Sequence, residues 1–388
     1  GSAGSVDAKT AADVTAFGGM DKLVEAAKAE GQLNVIALPD DWANYGAIKS
    51  GFEEKYGITV NSNQPDVSSA EEIKAAKDNA GTDAAPDVFD LGAAVALANT
   101  DQFAPYKVST WADIPDSSKE STGLWVNDYT GIMSVGYDSS KVPEPKALDD
   151  LLGADYKGKV AINGDPTQAG AAFAAVGSIS VLNGGSSDDF GPGIDWMQKL
   201  KDAGNFLTVD PTPGTIASGE TPVVFDWSYN NLAAGAKNPN FKTTVLPGKA
   251  YVSFYNQAVN KDAPNPAAAR LWQEYIFSDE GQKLFLEGNA VPVRVDALKK
   301  AGTVTEEDLN KVTFGTSSAD WVTADTKQTE AANKLLTERW PAVAKGCTGG
   351  GGPQARPARL ACCPSDARRR VSGPRRPATR RRALVLPL

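Results

Sequence analysis

Five short stretches carry the residue types that can hold a small charged molecule. They are Asp40–Tyr45 (DDWANY), Trp125–Tyr129 (WVNDY), Asp165–Gln168 (DPTQ), Asp226–Asn231 (DWSYNN) and Phe254–Gln257 (FYNQ). Carboxylates or amides stand beside aromatic rings in four of them, and Asp165–Gln168 offers an acid and an amide without a ring. An aromatic face attracts an ammonium group by about 0.5–2 kcal/mol, depending on desolvation. A carboxylate adds a charge-assisted hydrogen bond and neutralises the charge. Sites of this composition suit amines. The candidate ligand contacts are Asp40, Trp42, Tyr45, Asp128, Tyr129, Asp165, Gln168, Asp226, Trp227, Tyr229, Tyr255 and Asn256. Trp42, Tyr45, Asp226 and Trp227 lead, because each lies just beyond the carboxyl end of an expected strand, where open α/β sheets bind ligands. Simpler roles stand beside these: Trp125 as core, Asp165 as a helix N-cap, Phe254 facing inward. Arg294, with helix N-termini, is the candidate for a carboxylate or phosphonate instead.

Catalytic chemistry finds little support. The chain has no histidine, so Ser–His and Cys–His nucleophiles and histidine metal sites are unavailable. Gly153–Lys159 (GADYKGK) resembles the start of a phosphate-binding loop. Yet Val160 stands where Ser or Thr should bind magnesium, and a strand follows where a helix should begin. It reads as a turn. No loop has the acid spacing of a calcium site, and no cofactor is expected. The alternative from another class is a glycoside hydrolase, which also gathers carboxylates and aromatics at strand ends.

The elements that must position these loops alternate. Leu33–Leu38 is a strand-length apolar run that Pro39 ends. A helix then runs to Lys55 or Tyr56, with Ile48 and Phe52 on one face, and Gly57 caps it. Further helices are expected over Val14–Ala29, Ala70–Lys77, Gly92–Asn99, Ala169–Leu182 (with Asp165 as N-cap and Pro166 at N1), Asp195–Ala203 and from Thr326 to Trp340. Strands are expected over Val88–Leu91, Ile132–Tyr137, Gly158–Asn163, Pro222–Asp226 and Tyr251–Asn260. This order argues for parallel sheets with helices on both faces.

The chain has 388 residues and a net charge of −9, with 41% hydrophobic and 22% charged residues, as in soluble globular proteins. The charge is uneven. Residues 346–388 hold ten Arg and one acid, which leaves 29 basic and 47 acidic residues in 1–345, a net of −18. An acidic body argues against nucleic acid as partner and favours a cationic one. The tail also holds all three cysteines (Cys347, Cys362, Cys363). Its Arg/Pro/Gly composition is that of a segment that does not fold, and it is expected to be no part of the evolved protein. A basic arm is the alternative. Gly1–Ala11 reads as a flexible lead-in, whose beginning is consistent with either an expression scar or a linker behind a lipid anchor.

Several passages, in order, resemble the extracellular solute-binding proteins of ABC importers, in the group that covers spermidine/putrescine, ferric iron, thiamine and aminoethylphosphonate binders. They are WANY with FEEKYGITV, APDVFDLG, TGIMSVGYDSSKV, LLGADYKGKVAI, SGETPVVFDWSYN, and AARLWQEYIFSDEGQKLF with GNAVPVR. The likeness spans about 32 to 343. It implies an α/β, two-lobed periplasmic-binding-protein-like fold (type II), with discontinuous lobes, hinge strands and a ligand cleft that closes on its solute. Lobe 1 is expected over 32–134 and 257–290, lobe 2 over 135–256 and 291–343, after a lead-in and helix over 1–31. Hinge crossings are expected near Ser134–Asp138, Ser253–Gln257 and after Ala290. The implied role is capture without catalysis outside the cytoplasm, as a periplasmic or lipid-anchored monomer whose signal has been removed, and delivery to a membrane permease. In polyamine binders a W-x-x-Y pair sandwiches the ligand, and Trp42 and Tyr45 match it. Asp165 and Trp227 match an acidic and an aromatic position. Gln168 and Asn256 stand where those proteins often carry acids. The ferric binders' adjacent tyrosines are replaced by Trp227-Ser228-Tyr229.

Overall fold

The computed structural model describes residues 6–345. The basic tail and its cysteines lie outside them, and so does the expectation placed on the tail. The amino-terminal helix expected over Val14–Ala29 is broken. Val14–Phe17 is one 3-10 turn, and α1 covers Met20–Glu30. Gly18 and Gly19 separate them with φ of 92° and 113°, values an α-helix cannot accommodate.

The first unit is β1 (Gln32–Ile36), α2 (Tyr45–Tyr56) and β2 (Thr59–Asn63). Gly57 ends α2 in the left-handed region and returns its N–H to Glu53, as a C-cap glycine does. Next come α3 (Ser69–Asp78), β3 (Val88–Leu91), α4 (Ala93–Ala98) and the short β4 (Phe103–Ala104). Ser68 and Glu71 form a capping box on α3, which satisfies two otherwise orphaned N–H groups. Asp87 ties this layer together. Its carboxylate accepts from the backbone N–H groups of Asn34 and Asn265 at 2.6 and 2.7 Å and from Asn265 Nδ2 at 3.1 Å.

The long strand β5 (Val126–Asp138) follows, then β6 (Val160–Ile162), α5 (Gly170–Leu182), α6 (Gly191–Asp202), α7 (Pro213–Ser218), β7 (Val223–Trp227) and α8 (Ser228–Lys237). The chain continues through β8 (Phe241–Thr244), β9 (Val252–Asn260), α9 (Pro266–Ile276), α10 (Asp279–Glu287), β10 (Val291–Pro292), α11 (Val295–Lys300), α12 (Glu306–Thr313) and α13 (Thr326–Ala344). Asp165 does not cap α5. Ala169 is the N-cap residue, and the Asp165 side chain accepts from Thr167 N–H and Oγ1 instead, closing a local turn. Gly158, in the phosphate-loop look-alike, sits in a turn with φ 69°.

The strands do not form parallel sheets throughout. β1–β2 and β6–β7 are parallel, but β5 and β9 run antiparallel to each other, β9 antiparallel to β3 and β5 antiparallel to β7. The order β3-β9-β5-β7-β6 makes one curled sheet. The first half of β5 pairs with β9 through Ile132, and its second half pairs with β7 from Met133 and with β8 from Val135. One strand thus belongs to two lobes, a geometry that alternation of α and β in sequence cannot reveal. After Ala290 the chain first returns to the β9-paired half, where Val291 and Pro292 pair with Thr130 and Tyr129. Val322 then joins Tyr251 at the other end of β9.

Candidate functional site

A cavity of about 520 Å³ opens where β1, β3, β6 and β7 end, within the 300–1,000 Å³ usual for small-molecule sites. Its first wall is the loop after β1. Three non-glycine residues of this loop, Ala37, Ala43 and Asn44, hold left-handed φ of 57°, 47° and 68°. Such conformations are strained and persist only when their surroundings dictate them. Buried Lys49 supplies much of that hold. Its ammonium donates to Leu38 O at 2.7 Å and Ser62 Oγ at 3.0 Å, and pairs with Asp40 at 2.8 Å. Asn44 Nδ2 donates to Leu284 O. Trp42 is thereby turned into the cavity. Its indole N–H donates to Tyr129 Oη at 2.8 Å, and its ring meets Tyr229 and Tyr255 edge-on at 5.8 and 5.5 Å.

The second wall comes from the strand end at Asp226, which is 5% exposed. Its carboxylate accepts from Trp227 N–H (2.7 Å), Asn163 Nδ2 (2.9 Å) and Asn230 Nδ2 (3.2 Å). Burial outweighs these hydrogen bonds and pushes Asp226 from 3.8 up to about 6. An acid whose value is raised on folding keeps its proton longer folded than unfolded. Its contribution to stability is present below about 4 and is lost as the pH rises through about 6, a loss of about 2–3 kcal/mol. We therefore expect the ligand-free protein to melt at a higher temperature at pH 5 than at pH 8. A thermal scan with the opposite order would contradict this charge being buried without a cation.

Of the expected contacts, the structure brings Trp42, Asp165, Gln168, Asp226 and Tyr255 to the cavity lining. Tyr45, Asp128, Tyr129, Trp227, Tyr229 and Asn256 form a buried layer behind it. Tyr45 and Tyr129 both donate to Asp90 Oδ2, at 2.6 and 2.8 Å. Trp227 donates to Tyr255 Oη at 3.1 Å and stacks on Tyr229. So Trp227 does not face Trp42 across open space; Tyr229 and Tyr255 lie against both. Asn256 donates to Leu91 O and steadies the end of β3. Asp40 is exposed and turned to Lys49, while its neighbour Asp41 lines the cavity.

Arg294 is not at the cavity. It is 5% exposed and spends its guanidinium on Asp113 (2.9 Å), Asp279 (2.8 Å) and Phe277 O (3.0 Å). Arg294→Met is expected to destabilise the fold by about 1–3 kcal/mol, since it removes the hydrogen bonds of a buried guanidinium to Phe277 O and to two half-exposed carboxylates, and to leave ligand affinity unchanged. A loss of affinity with unchanged melting would place Arg294 in the site after all.

Sequence reasoning missed most of the acids. Asp41, Asp66, Glu71, Glu72, Asp90 and Asp210 line the cavity as well, with Asn163 and Asn230. One signal was available for Asp90. Val88-Phe89-Asp90 repeats Val224-Phe225-Asp226, and both aspartates close a strand that leads into a helix. Together with Asp165 and Asp226, eight carboxylates face the cavity against one lysine, Lys237, which is itself paired with Asp41 at 2.7 Å. The rims touch. Ala70 N–H donates to Gln168 O at 3.1 Å, and a Cβ on Gly92 would lie 2.7 Å from Gly170 Cα. Glycine at both positions permits that approach of backbones.

A family model for bacterial extracellular solute-binding proteins matches residues 85–316, more than half of the chain. The chain belongs to this family. It is the substrate-binding component of an ABC transporter and works outside the cytoplasm. The family's members are solute binders rather than enzymes. Solved structures share the fold of this solute-binding protein over nearly their whole length. MotA from A. tumefaciens B6, in complex with glucopine, is 17% identical with a TM-score of 0.64, over 80% of this chain and 99% of that one. Iron-bound HitA from Pseudomonas aeruginosa is 19% identical with a TM-score of 0.60, over 81% and 99%. A putative spermidine/putrescine ABC transporter protein from Listeria monocytogenes is 13% identical with a TM-score of 0.59, over 80% and 99%. Among the described residues, no helix is long and apolar enough to cross a membrane.

Proposed function

We propose that this solute-binding protein captures a small organic cation of polyamine type and delivers it to a membrane permease. The observation that carries the reading is the cavity lining, with eight carboxylates against a single lysine. An anion brought there would meet like charge on every side, and like charges facing across an interface cost several kcal/mol. Trp42 and Tyr255 add aromatic faces, which favour ammonium groups. The Listeria protein of the same fold is described by its spermidine/putrescine transport. Trp42, Asp165, Gln168, Asp226 and Tyr255 are the contacts in this reading, with Tyr45, Asp128, Tyr129, Trp227, Tyr229 and Asn256 as their support.

Capture proceeds by closure of two lobes about β5 and β9, close to the expected division at 134 and 257. Gly92 and Gly170 let the rims meet. Gly92→Val is expected to prop the cleft open and weaken binding about tenfold or more, because its side chain meets backbone that cannot yield. Unchanged affinity, with unchanged compaction on ligand addition in solution scattering, would contradict closure at this contact. The ligand itself is open to native mass spectrometry of freshly purified protein. The reading expects an added mass matching an amine, released in high salt. A bound acid or phosphonate would overturn it.

A further inference from the structure

Three carboxyls next to the cavity have no cationic partner. Glu72 (1% exposed), Asp90 (7%) and Asp128 (0%) are buried, and no Lys or Arg among the described residues forms an ion pair with any of them. The groups facing Asp90 come from every neighbouring element. Tyr45 of α2 and Tyr129 of β5 donate to Oδ2. Glu72 of α3 accepts from the Asp90 N–H at 3.2 Å. Asp128 of β5 lies alongside, held by Tyr129 N–H at 2.6 Å and by Gln257 Nε2 of β9 at 2.8 Å. Asp226 and Tyr229 stand beyond. None of these is positive. Asp90 Oδ1 is buried and finds no N–H or phenol donor, although Asp90 lines the cavity. Uncompensated buried charge is costly, so such groups take up protons or acquire partners.

We propose that Asp90 anchors a cationic group of the ligand opposite Asp226, and that its capture releases a proton from the Asp90–Asp128 pair. This rests on the reading of the ligand as a cation. The repeated Val-Phe-Asp strand ends give each lobe one buried carboxylate on the cleft, and a ligand with two cationic ends satisfies both. In the empty protein, burial and the neighbouring Asp90 charge push Asp128 well above the usual carboxylate range, and burial also raises Asp90. The pair therefore keeps one proton between them. An ammonium group at Asp90 supplies the missing positive charge, the pair becomes doubly ionised, and the proton passes to solvent.

The test is calorimetry with putrescine and with spermidine at pH 7.5, in phosphate and in Tris, whose ionisation enthalpies differ. The wild type should show a buffer-dependent enthalpy equivalent to about one proton released per ligand. Asp90→Asn should weaken binding about tenfold or more and abolish the release. Asp128→Asn leaves Asp90 ionised without a shared proton. It should abolish the release, which a merely structural Asp128 would not do. Amine binding with wild-type affinity in Asp90→Asn would overturn the anchor while leaving the cation reading intact. So would proton release that persists in Asp128→Asn, a result that keeps the test decisive if Asp90→Asn fails to fold. Absence of amine binding by the wild type would overturn both.

Discussion

Asp226→Asn should weaken amine binding by about 2–4 kcal/mol, roughly 30- to 700-fold in Kd. Asp226 is 5% exposed and lines the cavity. An ammonium bound there is screened little by water, so removal of its counter-charge is felt nearly in full. The substitution is close to isosteric. Oδ1 can still accept from Trp227 N–H and Asn230, and Asn163 can turn its amide to accept at the other position. The protein should therefore melt near its wild-type temperature, and above pH 6 somewhat higher, because a buried charge is gone. Equilibrium titration with spermidine, together with a melting curve, separates the two effects. Lost affinity with a large drop in melting temperature would mean that Asp226 is a structural anchor.

Trp42→Ala should weaken the same ligand by about 2–3 kcal/mol, as truncation of buried aromatic anchors commonly does. Two contributions add. The indole face is lost to the ammonium, and the cavity loses a wall, so water reaches the carboxylates and weakens their attraction. Trp42→Phe keeps the wall and one aromatic face but not the hydrogen bond to Tyr129 Oη at 2.8 Å, and should fall between. If phenylalanine binds no better than alanine, Trp42 acts by positioning Tyr129, whose hydroxyl also reaches Asp90.

The unit from β1 to β2 was legible because its signals are local: an apolar run, a proline, a helical face and a C-cap glycine. Direction of strands was not. Alternating α and β elements suggest parallel pairing, yet β5 and β9 return antiparallel and carry the curled sheet. The helix α7 went unread, since six residues beginning with proline and followed by Gly219 show no periodicity. That mattered, because Thr212, Pro213 and Ile216 of this region line the cavity with Asp210. The aromatic loops were found from composition alone. Their depth was not, since burial of Tyr45, Tyr129 and Trp227 depends on partners more than 25 positions away. Arg294 shows the same limit. Its two carboxylate partners, Asp113 and Asp279, meet it only in the folded chain.

The central claim is that the acidic cavity selects positive charge. Calorimetry on the purified protein tests it most directly, with putrescine and spermidine in one arm and 2-aminoethylphosphonate and a dicarboxylate in the other, each at low and high salt. We predict heat from the amines, affinity that falls with added salt, and none from the anions. Heat from an anionic ligand with silence from both amines would contradict the account.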